Sequence, residues 1–222
     1  MNCSKCNNTG WIIYTDKDGY ETAKQCECVK QRQSLARLER SGLSGLLDKY
    51  TFDRYKADYG FQKELLTKAN NYLNEKDKWF VVLGQSGAGK SHICTAICGE
   101  LLSQGHEVRF MSWLTESVRL KQNVNNAEVY EPLMEDYKNC EILYIDDFFK
   151  NENITSADLR IANEIINFRC VANKRTLISS ERLVKDLIGI DEAVVGRMVE
   201  KAEEYLTEIV GKEKNYRLKN FM

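Results

Sequence analysis

No charge of either sign dominates this chain of 222 residues: 32 basic side chains stand against 33 acidic ones, for a formal net charge of −1. An overall basic field for nucleic acid is therefore excluded, and any such contact must come from a local patch. Long apolar runs are missing as well. The opening Met1-Asn2-Cys3-Ser4-Lys5-Cys6 has no apolar signal core, and no stretch approaches the ~20 residues that span a bilayer. The sequence thus predicts a soluble, cytoplasmic protein with no membrane partner. Internal repeats and low-complexity segments are absent. Histidine is scarce, and neither His92 nor His106 has neighbours spaced as metal ligands. In a reducing compartment the eight cysteines do not read as a disulfide framework. What remains, 43% hydrophobic and 29% charged residues, suffices for one good core with a small module attached.

What is present is organised around one loop. Gly84-Gln85-Ser86-Gly87-Ala88-Gly89-Lys90-Ser91 is a complete G-x-x-x-x-G-K-S phosphate loop directly behind the apolar run Trp79-Phe80-Val81-Val82-Leu83. Glycines let successive N–H groups turn inward, Lys90 supplies a charge for the β- and γ-phosphates, and Ser91 offers a hydroxyl to Mg²⁺. A helix opening near Lys90 adds its positive end. Its apolar stripe, Ile93, Ala96, Ile97, Leu101 and Leu102, stops at Gly105. The second motif is Ile142-Leu143-Tyr144-Ile145-Asp146-Asp147, a buried strand ending in paired carboxylates. Asp146 is predicted to hold Mg²⁺ through its waters and Asp147 to orient or deprotonate the attacking water. Glu107–Met111, Arg175–Ser180 and Tyr205–Val210 read as further strands, with Ser179 and Ser180 as hydroxyls near the γ-phosphate. Helical stretches alternate with them, which predicts a three-layer parallel α/β sheet whose active edge is the carboxyl end of its strands.

Ahead of this domain, Cys3-x-x-Cys6 and Cys26-x-Cys28 flank two short strands, Trp11–Tyr14 and Tyr20–Ala23, joined across Asp16-Lys17-Asp18-Gly19. The arrangement resembles a zinc ribbon, whose four thiolates suit a structural Zn²⁺ with no open position. Reduced thiols or a redox pair are the alternative. Cys94, Cys98, Cys140 and Cys170 read as small core residues. Residues 29–50 form a basic, amphipathic helical linker with Lys30, Arg32, Arg37 and Arg40 followed by Leu43, Leu46, Leu47 and Tyr50. Its charge reads as a solvated face, with DNA or a partner as the alternative. The division expected is a zinc-ribbon-like module over 1–28, the linker over 29–50 and the nucleotide domain over 51–222. Tyr50-Thr51-Phe52 suits core packing, or contact with a base.

The ordered set Cys3/Cys6/Cys26/Cys28, Thr51-Phe52, Gly89-Lys90-Ser91-His92, Asp146-Asp147-Phe148-Phe149-Lys150, Ser179-Ser180-Glu181, Gly196-Arg197-Met198 and Tyr216-Arg217 resembles replicative-helicase loaders of the DnaC/DnaI type within the AAA+ ATPases, in their phage or prophage-like branch. That resemblance implies a RecA-like P-loop domain that hydrolyses ATP to ADP and phosphate with Mg²⁺. It also implies self-assembly when ATP is bound, and help in placing a ring helicase on single-stranded DNA. The phosphate loop, His92 and Ser180 would contact ATP. Arg197 matches the residue that reaches a neighbour's γ-phosphate, an arginine finger worth ~10³–10⁵ in rate. Arg217 matches the second sensor arginine, acting on its own chain's nucleotide. Two departures stand out: serines occupy the strand end where many AAA+ proteins place asparagine, and the short tail after the last strand leaves little or no helical lid, which predicts fast nucleotide exchange. Rival readings are the ATPase helper of a DNA transposase, a P-loop kinase and an ATP-gated scaffold without hydrolysis. The paired acids and Arg197 argue against the kinase, and the cysteine-rich start favours the loader.

Overall fold

The computed structural model describes residues 3–40, 43–211, 215 and 216. The chain opens with an antiparallel hairpin of β1 (Trp11–Thr15) and β2 (Glu21–Gln25), with Trp11 opposite Gln25 and Thr15 opposite Glu21. The turn is fixed by Asp16, whose carboxylate accepts from the backbone N–H groups of Asp18 and Tyr20, both at 2.9 Å. Helix α1 (Cys28–Arg40) follows, then the short α2 (Ser44–Leu47). Residues 29–50 lie against the nucleotide domain: Gln31 Nε2 of α1 donates to the Ser103 carbonyl at 2.9 Å, and Leu35, Leu46 and Leu47 pack on the core beneath.

Helix α3 (Gly60–Tyr72) leads into β3 (Trp79–Gly84), which is buried at every position. Side chains alternate along a strand, so burial on both faces is what makes this run read as unbroken apolar. After β3 come α4 (Lys90–Ser103), β4 (Val108–Ser112), α5 (Trp113–Gln122), α6 (Ala127–Asn139), β5 (Ile142–Asp146), α7 (Ser156–Val171), β6 (Arg175–Ser180), α8 (Val184–Ile188), α9 (Glu192–Ala202) and β7 (Leu206–Ile209). The five later strands form one parallel sheet in the order β4-β5-β6-β3-β7. Trp79, Val81, Leu143, Ile145 and Ile178 face the layer of α5, α6, α7 and α9. Phe80, Val82, Ile142, Tyr144 and Leu177 face α3 and α4. The three-layer expectation therefore holds. The last strand starts one residue later than the sequence suggests, because Tyr205 ends a 3-10 turn and is buried beside Tyr72, ring centroids 5.4 Å apart. Of the described residues after β7, Tyr216 is in a 3-10 conformation, and no described helix is long and apolar enough to cross a membrane.

One buried cation organises the amino edge of the sheet. Arg169 of α7 is fully buried, with Nη1 donating to the carbonyls of Tyr137, Lys138 and Cys140 at 3.0, 3.1 and 3.0 Å and Nε to Thr176 at 2.9 Å. It thus closes the carboxyl end of α6, whose last carbonyls have no partner within the helix. Replacing Arg169 with Met is expected to destabilise the protein by about 3 kcal/mol, since several buried acceptors lose their donor together. Urea unfolding checks this: a midpoint unchanged from the native chain would show that the carbonyls find other partners.

Candidate functional site

The site grows from the end of β3. Gly84 has φ +126, and a Cβ there would run into the Ile209 backbone of β7, so only glycine lets the two strands lie this close. Gly89 caps α4 in the left-handed region at φ +87, and a Cβ on it would meet the Tyr55 ring at 3.2 Å. The loop between them is a backbone cradle of the kind that wraps phosphates. Lys90 opens α4 and is buried, its ammonium donating to the carbonyls of Gly84 and Gln85, each at 2.7 Å. Burial pushes its pKa down, while the carboxylates of Glu181, Asp147 and Asp146 oppose that shift.

Three hydroxyls converge on one oxygen, Asp146 Oδ1: Ser91 at 3.0 Å, Tyr144 at 2.7 Å, and Ser179. The serine of the phosphate loop and the first acid of β5 therefore meet, a hard-oxygen pair that suits Mg²⁺. Asp147 comes next in an unusual conformation, φ +56, and Phe149 follows at φ +52. The turn is held by its aromatics. Phe148 and Phe149 are fully buried against Trp113, ring centroids 4.8 and 5.1 Å away. With both rings fixed inward, Asp147 is turned toward the cleft. Burial raises its carboxyl pKa and the neighbouring Asp146 charge adds to this, against the pull of Lys150.

Lys150 is shared. Its ammonium lies 3.1 Å from Asp147 Oδ2 and 3.0 Å from Glu181 Oε1. Burial works to lower its pKa, but the two carboxylates outweigh that and raise it. Glu181 is correspondingly held low, burial being overcome by Lys150.

These groups border a cleft of about 360 Å³ lined by Ser86, Gly87, Gly89, Lys90, Ser91, His92, Asp147, Lys150 and Glu181, together with Tyr50, Arg54, Tyr55, Lys56, Gln62 and Tyr216. His92 stacks on Tyr50 at 4.7 Å with Tyr55 edge-on at 5.1 Å. Its Nε2 donates to the Thr51 carbonyl at 3.0 Å, and burial lowers its pKa, so the ring is neutral near pH 7. Gly84, Gln85 and Ala88 support the loop rather than line the cleft, Ala88 being buried in the core. Ser180 turns away: it is fully buried and its hydroxyl donates to the Phe148 carbonyl at 2.6 Å. Arg197 on α9 lies outside this cleft, its Nη1 donating to Ala193 at 2.9 Å. Arg217 lies outside the described residues, but the Tyr216 N–H just before it donates to the Gly87 carbonyl at 3.0 Å. Lys150 and Glu181 carry no periodicity and no role of their own in the sequence reading, although each closes one of the segments that carry the family resemblance. Beyond that, their signal is position, three residues after Asp147 and one after the serine pair.

A second constellation lies in the hairpin module. The Sγ atoms of Cys3, Cys6, Cys26 and Cys28 all fall within 4.8 Å of one another, with Cys3–Cys26 at 3.7 Å and Cys6–Cys28 at 3.5 Å. Disulfides are far shorter at ~2.0 Å, whereas sulfurs about 2.3 Å from a tetrahedral ion lie about 3.8 Å apart. Their acidity diverges. Burial pushes the Cys28 thiol up to about 12, with the other thiols adding and Arg32 opposing. For Cys6 burial is outweighed by the Gly10 backbone and the neighbouring thiols, which bring it to about 7. One thiolate is accommodated and a second resisted, which is the donor set a cation would complete.

A parallel sheet with its phosphate loop behind β3, an acid pair two strands away on β5, and a serine joining the two define the core of an AAA+ P-loop NTPase. The chain belongs to the family described as Novel STAND NTPase 3, whose model matches residues 61–186. It is similar to two Bacillus subtilis (strain 168) proteins. One is YqaM, 28% identical over 209 residues covering 88% of this chain and 65% of YqaM, so that the chain spans just under two thirds of that relative. The other is the phage-like element PBSX protein XkdC, 26% identical over 232 residues, 97% of this chain and 86% of XkdC. The replicative helicase loader DnaC of Escherichia coli (strain K12) is 26% identical over 187 residues, 78% of this chain and 76% of DnaC. Among solved structures, that of the DnaC helicase loader superposes with a TM-score of 0.66 at 22% identity, covering 73% of this chain and 97% of that one, and shares the fold.

Proposed function

We propose that this chain binds and hydrolyses ATP and helps load a ring-shaped replicative helicase onto single-stranded DNA. The observation that carries the reading is the contact of Ser91 with Asp146 beside a cleft-facing Asp147, in a chain similar along most of its length to a helicase loader. Phosphates would lie against the loop amides of Ser86 to Ser91, with Lys90 leaving its backbone carbonyls for phosphate oxygens. Ser91 and Asp146 would hold Mg²⁺, which when bound offsets the negative charge of the β- and γ-phosphates. Asp147 then orients a water whose oxygen bonds the γ-phosphorus as the bond to the β–γ bridging oxygen breaks. The electron pair leaves with ADP, and the water's proton passes to the Asp147 carboxylate and on to solvent.

Arg197, outside its own cleft, is available to a neighbouring subunit, so hydrolysis would depend on assembly. The contact of Tyr216 with Gly87 supports Arg217 as a nucleotide contact from the same chain. Cys3, Cys6, Cys26 and Cys28 would hold a structural Zn²⁺, in a division into 1–28, 29–50 and 51–222. Sedimentation with the ring helicase of the same organism tests the function. A complex that forms with ATP·Mg²⁺ and not without nucleotide supports it, whereas none in either state moves the reading to a transposition helper. Lys90→Ala is expected to abolish both the nucleotide dependence of this complex and turnover, the latter by ~10²–10³; turnover near the native rate would remove the phosphate-loop assignment.

A further inference from the structure

The cleft contains more acid than its phosphate role needs. Asp146 is occupied by three hydroxyls, but Asp147 and Glu181 both line the space beside Ser86 and Lys90. A terminal phosphate entering there would face two carboxylates. Without nucleotide Lys90 bonds the loop carbonyls, and the cation that bridges these two acids directly is Lys150, at 3.1 and 3.0 Å. Its backbone is held in turn, the Lys150 N–H donating to the Asp147 carbonyl at 3.0 Å, on the turn pinned by Phe148 and Phe149. The side chain can therefore pivot between partners while its root stays fixed.

We infer that Lys150 senses the terminal phosphate: it exchanges Asp147 for the γ-phosphoryl oxygens of a bound nucleoside triphosphate while keeping Glu181. Asp147 is then free to act on water only when a triphosphate is present. This rests on the ATP-binding reading above and adds to it a cation from the same chain that distinguishes triphosphate from diphosphate. Glu181 acts through Lys150, holding the ammonium over the phosphate loop, and lies one residue beyond Ser179 and Ser180 at the end of β6.

The test is equilibrium binding, by fluorescence titration with Mg²⁺, of a non-hydrolysable β,γ-imido ATP analogue and of ADP. Lys150→Met is expected to weaken the analogue about tenfold and leave ADP within about twofold, since one charge-assisted contact is lost from one ligand only. Lys150→Arg should keep the preference. The loss should persist when Asp147→Asn and Glu181→Gln are both present, because the contact is with phosphate. Equal weakening of both nucleotides in the Met and Arg variants would reduce Lys150 to a structural residue and overturn the inference. So would an unchanged preference, or a loss that disappears in the doubly neutralised background, where Lys150 has no acid left to balance. If the native chain binds neither nucleotide, the ATP reading itself falls and takes this one with it; normal ADP binding with an unaltered preference rejects the sensor alone.

Discussion

Asparagine at position 147 is expected to cut ATP turnover by ~10²–10⁴ at saturating substrate while leaving ATP bound, the range for losing a positioned general base. The side chain keeps its size, so the buried Phe148–Phe149 turn against Trp113 is undisturbed. What disappears is the carboxylate to which the proposed function assigns the proton. Phosphate-release kinetics and retained nucleotide, measured on the same sample, check both halves. The variant should also remain in the ATP-bound, assembled form, with a helicase complex that outlasts that of the native chain. The pH profile gives an independent sign. A base works above its pKa, and burial with the Asp146 charge raises that of Asp147 above the ordinary aspartate value. Turnover should therefore fall as pH is lowered, beginning at a higher pH than an unperturbed aspartate would give. A turnover loss below about threefold would be too small for a proton acceptor and would transfer the role elsewhere in the cleft.

Removing the proposed zinc is expected to have the other large effect. The hairpin module has almost no core of its own: Cys6, Cys26 and Cys28 are buried, with Cys3, Ile12 and Val29 packed on them. Trp11, Ile13, Tyr14 and Tyr20 are exposed and contribute little. A structural zinc can supply ~10–16 kcal/mol in such a module, more than its packing offers. Chelation, or Cys28→Ser, is thus expected to strip amide-exchange protection from residues 3–28. It should also loosen the first turn of α1, because Arg32 Nη2 lies 3.3 Å from Cys28 Sγ. The nucleotide domain should keep its protection. Elemental analysis of the native chain should return one zinc per molecule. A metal-free chain with full protection and a reversible thiol-to-disulfide titration would assign these cysteines to redox chemistry instead.

The central sheet and the phosphate loop are legible in the sequence because strands buried on both faces leave continuous apolar runs, and the loop's glycines are demanded by backbone geometry. The acid pair on β5 is legible for the same reason. Ser180 is instructive where sequence reading fell short. Two adjacent serines at a strand end look equivalent, yet side chains alternate, so Ser179 reaches Asp146 and Ser180 turns to the Phe148 carbonyl. Lys150 and Glu181 stand 31 positions apart and meet only because β5 and β6 are paired in register, Ile145 beside Ile178. Nothing local to either segment encodes that meeting. Tyr50 on His92 is a similar case, since Tyr50 follows α2 and His92 lies in α4.

The closeness of Gly84 to Ile209, and of Gly87 to Tyr216, also bears on the order of events at the ribosome. The phosphate loop is made well before the strand and the segment that flank it. A nascent chain halted anywhere before residue 206 carries the loop without the edge strand beside it. On the proposed function, a complete nucleotide site would exist only once synthesis has passed β7.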